Sequence, residues 1–272
     1  MKRLFVAAIA ALAFSTAPAQ AASLGVNGWE AQLGGTNDFQ GNLGDDDWRG
    51  VVGAGIGLAP EFIGADDLEA VGLPLIDVEW RNAYFLSTQR GAGLNLIRRP
   101  NFKFGPRLTY DQGRDSSDST FLRGLRDVEG SFEAGVFLTG ISGNWRYAAD
   151  VRQGLGEEGH DGLVGTIDIA RAGQLNDKAT LIVGGFTHYA SKKYLESYFG
   201  VPAATASFAR YTVQGGGFSD FGGYLNLVYN FTDNWFLSGM IRAALLFGDA
   251  ADSPVSQSDG QYYVGTLLGY RF

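Results

Sequence analysis

The 272-residue chain contains no cysteine. That excludes a disulfide framework and thiolate metal sites, and it suits an exported protein whose folding needs no oxidation step. Charge is sparse: 18% of residues are Asp, Glu, Lys or Arg, below the quarter usual for soluble domains. The net charge of −8 lacks the basic excess of a nucleic-acid footprint. Long apolar runs are missing too. Beyond the N-terminus no window holds 18 consecutive apolar residues, so no transmembrane helix is expected. What the chain has instead is 40 Gly, in no collagen-like period, and 13% aromatics.

Residues 1–21 have the form of an export signal. Lys2 and Arg3 precede an apolar run ending near Phe14, and Ala19-Gln20-Ala21 fits a small-x-small cleavage site. The run is too short to span a bilayer. Residues 22–47 form an acidic extension ending in Asp45–Asp47, and residues 48–272 carry the pattern that decides the fold class.

That pattern is period two. In FGGYLNLVYNF, Phe221, Leu225, Leu227, Tyr229 and Phe231 share one face with Gly223, while Tyr224, Asn226 and Val228 take the other. WFLSGMIRAALLF puts Trp235, Leu237, Ile241, Leu245 and Phe247 together and turns Arg242 away. NWRYAADVRQ, FKFGPRLTY, LPLIDVEWR, SFEAGVFL, LVGTIDI and TLIVGGFTHY behave alike. Repeated ten-residue segments with aromatics near the ends of the apolar face indicate an outer-membrane barrel. The expected fold is therefore all-β: a transmembrane antiparallel barrel of about twelve strands, with ten as the next count. A soluble sandwich alternates too, but with shorter strands and its polar face outside.

Eight strands are expected from Phe102 onward and four before it, near residues 51–58, 71–80, 83–88 and 92–98. An alternative twelve starts at residues 28–33 and fuses the third and fourth of those. Short connections (140–144, 174–178 and 232–234) are expected in the periplasm. Long loops (111–127, 154–162, 191–217 and 248–260) are expected outside the cell. The last strand ends the chain. Tyr262, Tyr270 and Phe272 lie on its apolar face and are the expected assembly signal, offered to the barrel assembly machinery.

The same alternation sends charges inward. Arg49, Asp77, Glu79, Arg81, Lys103, Arg107, Glu133, Arg146, Asp150, Arg152, Asp168, Arg242 and Arg271 fall on the lumen side. Both signs are interleaved, and buried charges persist only when paired or hydrated. A network that fills a narrow interior is expected, serving structure or filtering a small polar solute. A wide porin needs more strands.

VVGAGIGLAPEFIGADD, RGLRDVEGSFEAGVF, YLESYFGV, DNWFLSGMIRAALLFGDAADSPV and the final GYRF together resemble the MipA/OmpV family of outer-membrane proteins. The likeness runs from about Trp48 to Phe272. Phe62 stands where the family more often has Tyr, and Ala65 where Ser is common. Residues 23–47 have no counterpart. The resemblance implies a transmembrane barrel and a scaffold role between a murein-degrading lytic transglycosylase and a murein synthase, or adhesion. It implies no catalytic residues.

Other motifs are weaker. GAGIG at residues 53–57 lacks the spacing and the following helix of a dinucleotide fingerprint, so lumen-facing glycines are the expectation. His160 and His188 are the only histidines. A hydrolase would need Ser, His and acid within hydrogen-bond reach, and only Ser191 lies near His188. The Asp clusters at 45–47, 66–67 and 111–118 lack an ordered ligand loop and are expected to be solvated, bridged by divalent ions to lipopolysaccharide. KKYLESYFG (192–200) has the pattern of a short amphipathic helix within a long loop. No catalytic, cofactor or metal site is expected. The function expected is a non-enzymatic outer-membrane barrel of a Gram-negative cell, in contact with lipid and lipopolysaccharide. A narrow solute channel is the alternative, and a His-dependent hydrolase a distant third.

Overall fold

The computed structural model describes residues 48–203 and 207–272. The expected signal (1–21), the acidic extension (22–47) and the alternative first strand (28–33) lie outside the described residues.

The strands, in order, are β1 (Trp48–Pro60), β2 (Leu68–Trp80), β3 (Tyr84–Ser87), β4 (Gly91–Leu94), β5 (Ile97–Arg99), β6 (Phe102–Asp111), β7 (Ser131–Ser142), β8 (Trp145–Gly154), β9 (Leu163–Gln174), β10 (Ala179–Ala190), β11 (Gly217–Asn230), β12 (Trp235–Leu246) and β13 (Gly260–Arg271). Helix α1 (Lys192–Phe199) interrupts the loop after β10, and a single turn, α2 (Asp249–Asp252), follows β12. Each strand pairs antiparallel with its neighbours, and β1 pairs with β13 from Val51–Arg271 to Leu58–Val264. The sheet therefore closes on itself and has no free edge along this seam.

β4 and β5 are one wall strand. Ala92 pairs with Leu108 and Gly93 with Arg107, whereas Ile97 pairs with Phe104 and Arg99 with Phe102. The register slips by one residue at Asn95–Leu96, which makes a bulge. Counted this way the barrel has twelve strands. The bulge buries Asn95, whose N–H donates to the Ala83 carbonyl (2.7 Å), and leaves Leu96 outside. β3 and β4 are separate antiparallel strands joined at residues 88–90, so the alternative that fused them is wrong. Thr88 Oγ1, 3.1 Å from the Pro74 carbonyl, helps fix that turn.

Alternation sorts the side chains as the pleat requires. Ile241 is 60% exposed, and its neighbour Arg242 only 1%. Aromatics ring the outside at both ends. At the turn end Trp80 stacks between Trp48 (5.8 Å) and Tyr84 (5.3 Å), and Trp235 packs against Tyr270 (5.1 Å). At the loop end Tyr110 meets Phe132 (5.1 Å), and Tyr189 meets Phe218 (6.1 Å). A strand such as β12, tilted by about 45°, spans roughly 28 Å. That matches the hydrocarbon thickness between two interfacial belts.

The interior is filled by aromatic rings lying on glycines. Phe236 faces Gly269 across the ladder, Tyr224 faces Gly184, Phe186 faces Gly222 and Phe85 faces Gly93. A Cβ on any of these glycines would fall 2.2–2.3 Å from the partner ring. The abundance of both residue types is thus one feature: glycine on one strand makes the seat that an inward ring on the next strand occupies.

The mouth is filled as well. Tyr194, Leu195, Tyr198 and Phe199 of α1 are buried against Val164, Ala190 and Leu246, inward residues at the loop ends of β9, β10 and β12. Phe62, Leu122, Val201, Phe208 and Val255 join four different loops in a second apolar cluster.

Candidate functional site: the occupied lumen

The inward charges form local groups. Near the turn end Glu79 accepts from Arg49 (2.6 Å) and Lys103 (3.0 Å), and Arg90 holds Asp77 (2.5 Å). Nearer the loop end Arg107 contacts Asp150 (3.1 Å), and Arg152 joins Asp150 to Glu133, each at 2.7 Å. Between the paired strands β8 and β9 Arg146 contacts Asp168 (2.5 Å), and Tyr224 Oη is 3.3 Å from both. Arg242 lies over the rings of Phe186 (3.9 Å) and Tyr263 (5.0 Å), a cation–π arrangement inside an apolar wall. Arg271 covers Phe236 (4.0 Å) and donates to Asn230 Oδ1 (2.8 Å).

Two expected positions need correction. Arg81 is exposed in the turn between β2 and β3, at φ 53°, with its guanidinium 5.0 Å from the centre of the Trp80 ring. Alternation stops where the strand ends, so parity could not place it. Asp111 is not part of a solvated acidic loop but the last residue of β6, 3% exposed. Tyr262 and Phe272 project outward at opposite ends of β13, and Tyr270 packs beside Trp235.

Both histidines are buried, His188 on β10 and His160 in the loop between β8 and β9. His188, on β10, hydrogen-bonds through Nδ1 to both carboxylate oxygens of Asp220 (2.7 and 2.8 Å). Its Nε2 is buried and makes no hydrogen bond among the described residues; Ser219 Oγ bonds the His188 carbonyl instead (3.3 Å). A base and its orienting acid are present, but no nucleophile is hydrogen-bonded to the base.

His160 is fully buried beneath α1, edge-on to Tyr194 at 4.8 Å. Its Nε2 lies 3.3 Å from Glu133 Oε1 and 3.6 Å from Asp111 Oδ2, close enough for charge attraction but without the geometry of a hydrogen bond. Burial opposes its protonation, yet the two carboxylates outweigh burial and raise its pKa above 6.5. The convergence of Asp111, Glu133 and His160 left no mark in the sequence, because the three sit on separate segments with no ligand spacing. Above them Arg114 donates to the Tyr198 carbonyl (2.5 Å), and burial pulls its pKa down to about 10. Asp249, in α2, accepts from the Gln214 and Gly215 amides (3.0 and 3.1 Å). Burial works against its charge, but these bonds prevail and hold its carboxyl below 3.8.

A closed barrel with an apolar exterior, two aromatic belts and an occupied interior is an outer-membrane β-barrel. Residues 52–272 match the family described as MltA-interacting protein MipA, and the chain belongs to that family. No curated protein matches it. Among solved structures it is similar to a bacterial polysaccharide outer membrane secretin, at 8% identity over 84% of this chain and 99% of that one, with a TM-score of 0.39. It is similar also to the CymD monoaromatic hydrocarbon channel (8% identity, 89% and 92% covered, TM-score 0.37) and to a Pseudomonas aeruginosa FadL homologue (9% identity, 83% and 90% covered, TM-score 0.37). At these levels none bears on function.

Proposed function

We propose that this barrel is a non-enzymatic interaction protein, holding a lytic transglycosylase and a murein synthase at the periplasmic face of the outer membrane. The observation that carries this is the occupied lumen. Its charges are engaged within the wall, its rings sit on glycines, and α1 fills the mouth. Such an interior suits a rigid platform better than a conduit. The family's description as MltA-interacting supports the choice of partner. Among the described residues His188 Nε2 has no hydroxyl hydrogen-bonded to it, so no catalytic role is assigned to the His188–Asp220 pair. The short turns lie at the same end as Trp48 and Phe272, the end assigned to the periplasm. There Arg81, Arg98 and Arg99 are exposed and offer charge to a partner.

Binding of the purified, nanodisc-held barrel to purified lytic transglycosylase and murein synthase tests the proposal. Saturable binding of both enzymes, weakened by Arg81→Glu and Arg98→Glu together, is expected. Failure to bind either enzyme overturns it. A narrow channel for a polar solute is the second reading. It is favoured by the succession of charged groups from Arg49 and Lys103 near one end to Glu133 near the other.

A further inference from the structure

Asp111, Glu133 and His160 come from the end of β6, from β7 and from the loop between β8 and β9, and each presents one atom to a common point. One ligand atom from each of the three residues lies within 4.8 Å of the other two, and His160 Nε2 is 3.3 Å from Glu133 Oε1 and 3.6 Å from Asp111 Oδ2. The remaining carboxylate oxygens are held elsewhere. Asp111 Oδ1 accepts from the Gly113 amide (2.8 Å) and from the Tyr198 hydroxyl. Glu133 Oε2 accepts from Thr109 Oγ1 and Arg152 Nη1, each at 2.7 Å. The outer oxygens are thus fixed by donors while the inner ones are left facing the imidazole, the arrangement by which surrounding hydrogen bonds orient metal ligands.

His160 supplies the second observation. It is 0% exposed, and neither ring nitrogen makes a hydrogen bond among the described residues. A buried imidazole with both nitrogens unsatisfied is costly, and its Nε2 points at the two carboxylates. Gly154 makes room for the ring: a Cβ there would fall 2.4 Å from His160 Nδ1. The spacing is informative. Ligands about 2.0–2.2 Å from a tetrahedral centre are separated by roughly 3.4 Å. The two measured edges from Nε2 are 3.3 and 3.6 Å.

We propose that Asp111 Oδ2, Glu133 Oε1 and His160 Nε2 bind one divalent transition-metal cation of the Zn²⁺ type, which fastens the β8–β9 loop over the mouth of the barrel. The donor set selects this class. One imidazole and two carboxylates suit Zn²⁺ and its first-row neighbours, whereas Ca²⁺ takes six to eight oxygens. Two carboxylates in one buried place also need more positive charge than Arg152 gives, since Arg152 is shared with Asp150 (2.7 Å). The cation would sit beside Tyr198, whose hydroxyl holds Asp111, and so couple the β6 end to α1. The inference does not depend on which murein enzyme, if any, the barrel holds.

Cobalt is a suitable probe because its visible absorption reports coordination. Full-length folded protein in detergent, stripped with a chelator, is titrated with Co²⁺ and then with Zn²⁺. One equivalent of Co²⁺ should give a ligand-field band, and Zn²⁺ should abolish it. His160→Gln should lose the band while remaining heat-modifiable, and His188→Gln, on the other histidine, should keep it. Where His160→Gln does not fold, Asp111→Asn serves in its place. Zn²⁺ should also slow proteolysis of residues 155–199 in wild type. Absence of one-equivalent binding by folded wild-type protein overturns the proposal, leaving an imidazolium between two carboxylates as the content of the site. So does a band that survives His160→Gln.

Discussion

Gly50 and Phe272 exchange both backbone hydrogen bonds, each 3.0 Å, across the seam where the first and last strands meet. The Phe272 ring then lies against Gly50, where a Cβ would fall 2.8 Å from its Cζ. Phe272 therefore extends the closing β1–β13 ladder past the Val51–Arg271 pair and places an aromatic ring in the outer belt. Phe272→Asp puts a charge there instead. We expect export to continue and folded protein in the outer membrane to fall sharply, with unassembled chain degraded in the periplasm. Fractionation showing wild-type amounts of folded protein would assign the seam no role in assembly.

Ile241 and Arg242 test the register of the wall. Ile241→Arg brings a cation into the lipid near mid-membrane, at a cost of roughly 2–4 kcal/mol. Heat-modifiable barrel should decrease. Arg242→Ile removes a cation from over Phe186 and Tyr263 but keeps an apolar filling, so it should assemble better than Ile241→Arg. The reverse order, on gels with and without heating, would mean that the faces are inverted.

Gly105 stands opposite the bulge that makes β4 and β5 one strand. A Cβ on Gly105 would lie 1.7 Å from the Leu94 carbonyl oxygen, a backbone atom that cannot step aside. Gly105→Ala should open the β4–β6 seam, where only Ala92–Leu108 and Gly93–Arg107 pair. Backbone amide exchange should rise at residues 91–99 and 104–108 and stay unchanged along β11–β12. Uniform protection throughout would contradict the bulge.

Arg146 and Asp168 test whether lumen charges are held by their partners. Removing one partner of a buried pair costs about 3–5 kcal/mol, because a charge is stranded. Arg146→Leu should lower stability by that order in urea unfolding of vesicle-inserted barrel. Arg146→Leu with Asp168→Leu should recover most of the loss. A double variant as unstable as the single one would show that packing around Tyr224, not charge, dominates there.

The barrel was legible because a wall one residue thick, with lipid on one side, imposes a period of two. Ile241 and Arg242 fall on opposite sides whichever way strands are counted. The bulge at Asn95–Leu96 was not legible, since it depends on how β6 pairs with both halves of its partner. Nor were the ring-on-glycine seats: Phe236 and Gly269 are each unremarkable until the register sets them face to face. Arg81 misled because parity was carried one residue past the strand. Asp111 misled because an acidic, Gly- and Ser-rich sequence follows it, and nothing local shows that β7 and His160 return to cover it.

Single-barrel conductance measures most directly whether the interior is closed. Purified full-length protein, inserted into a planar bilayer in symmetrical salt, should show no sustained unitary conductance across moderate voltages of either sign. Inserted barrel must be confirmed by heat-modifiability and protease protection. Steady, reproducible unitary currents from that wild-type protein would contradict the closed-lumen account and favour the narrow channel.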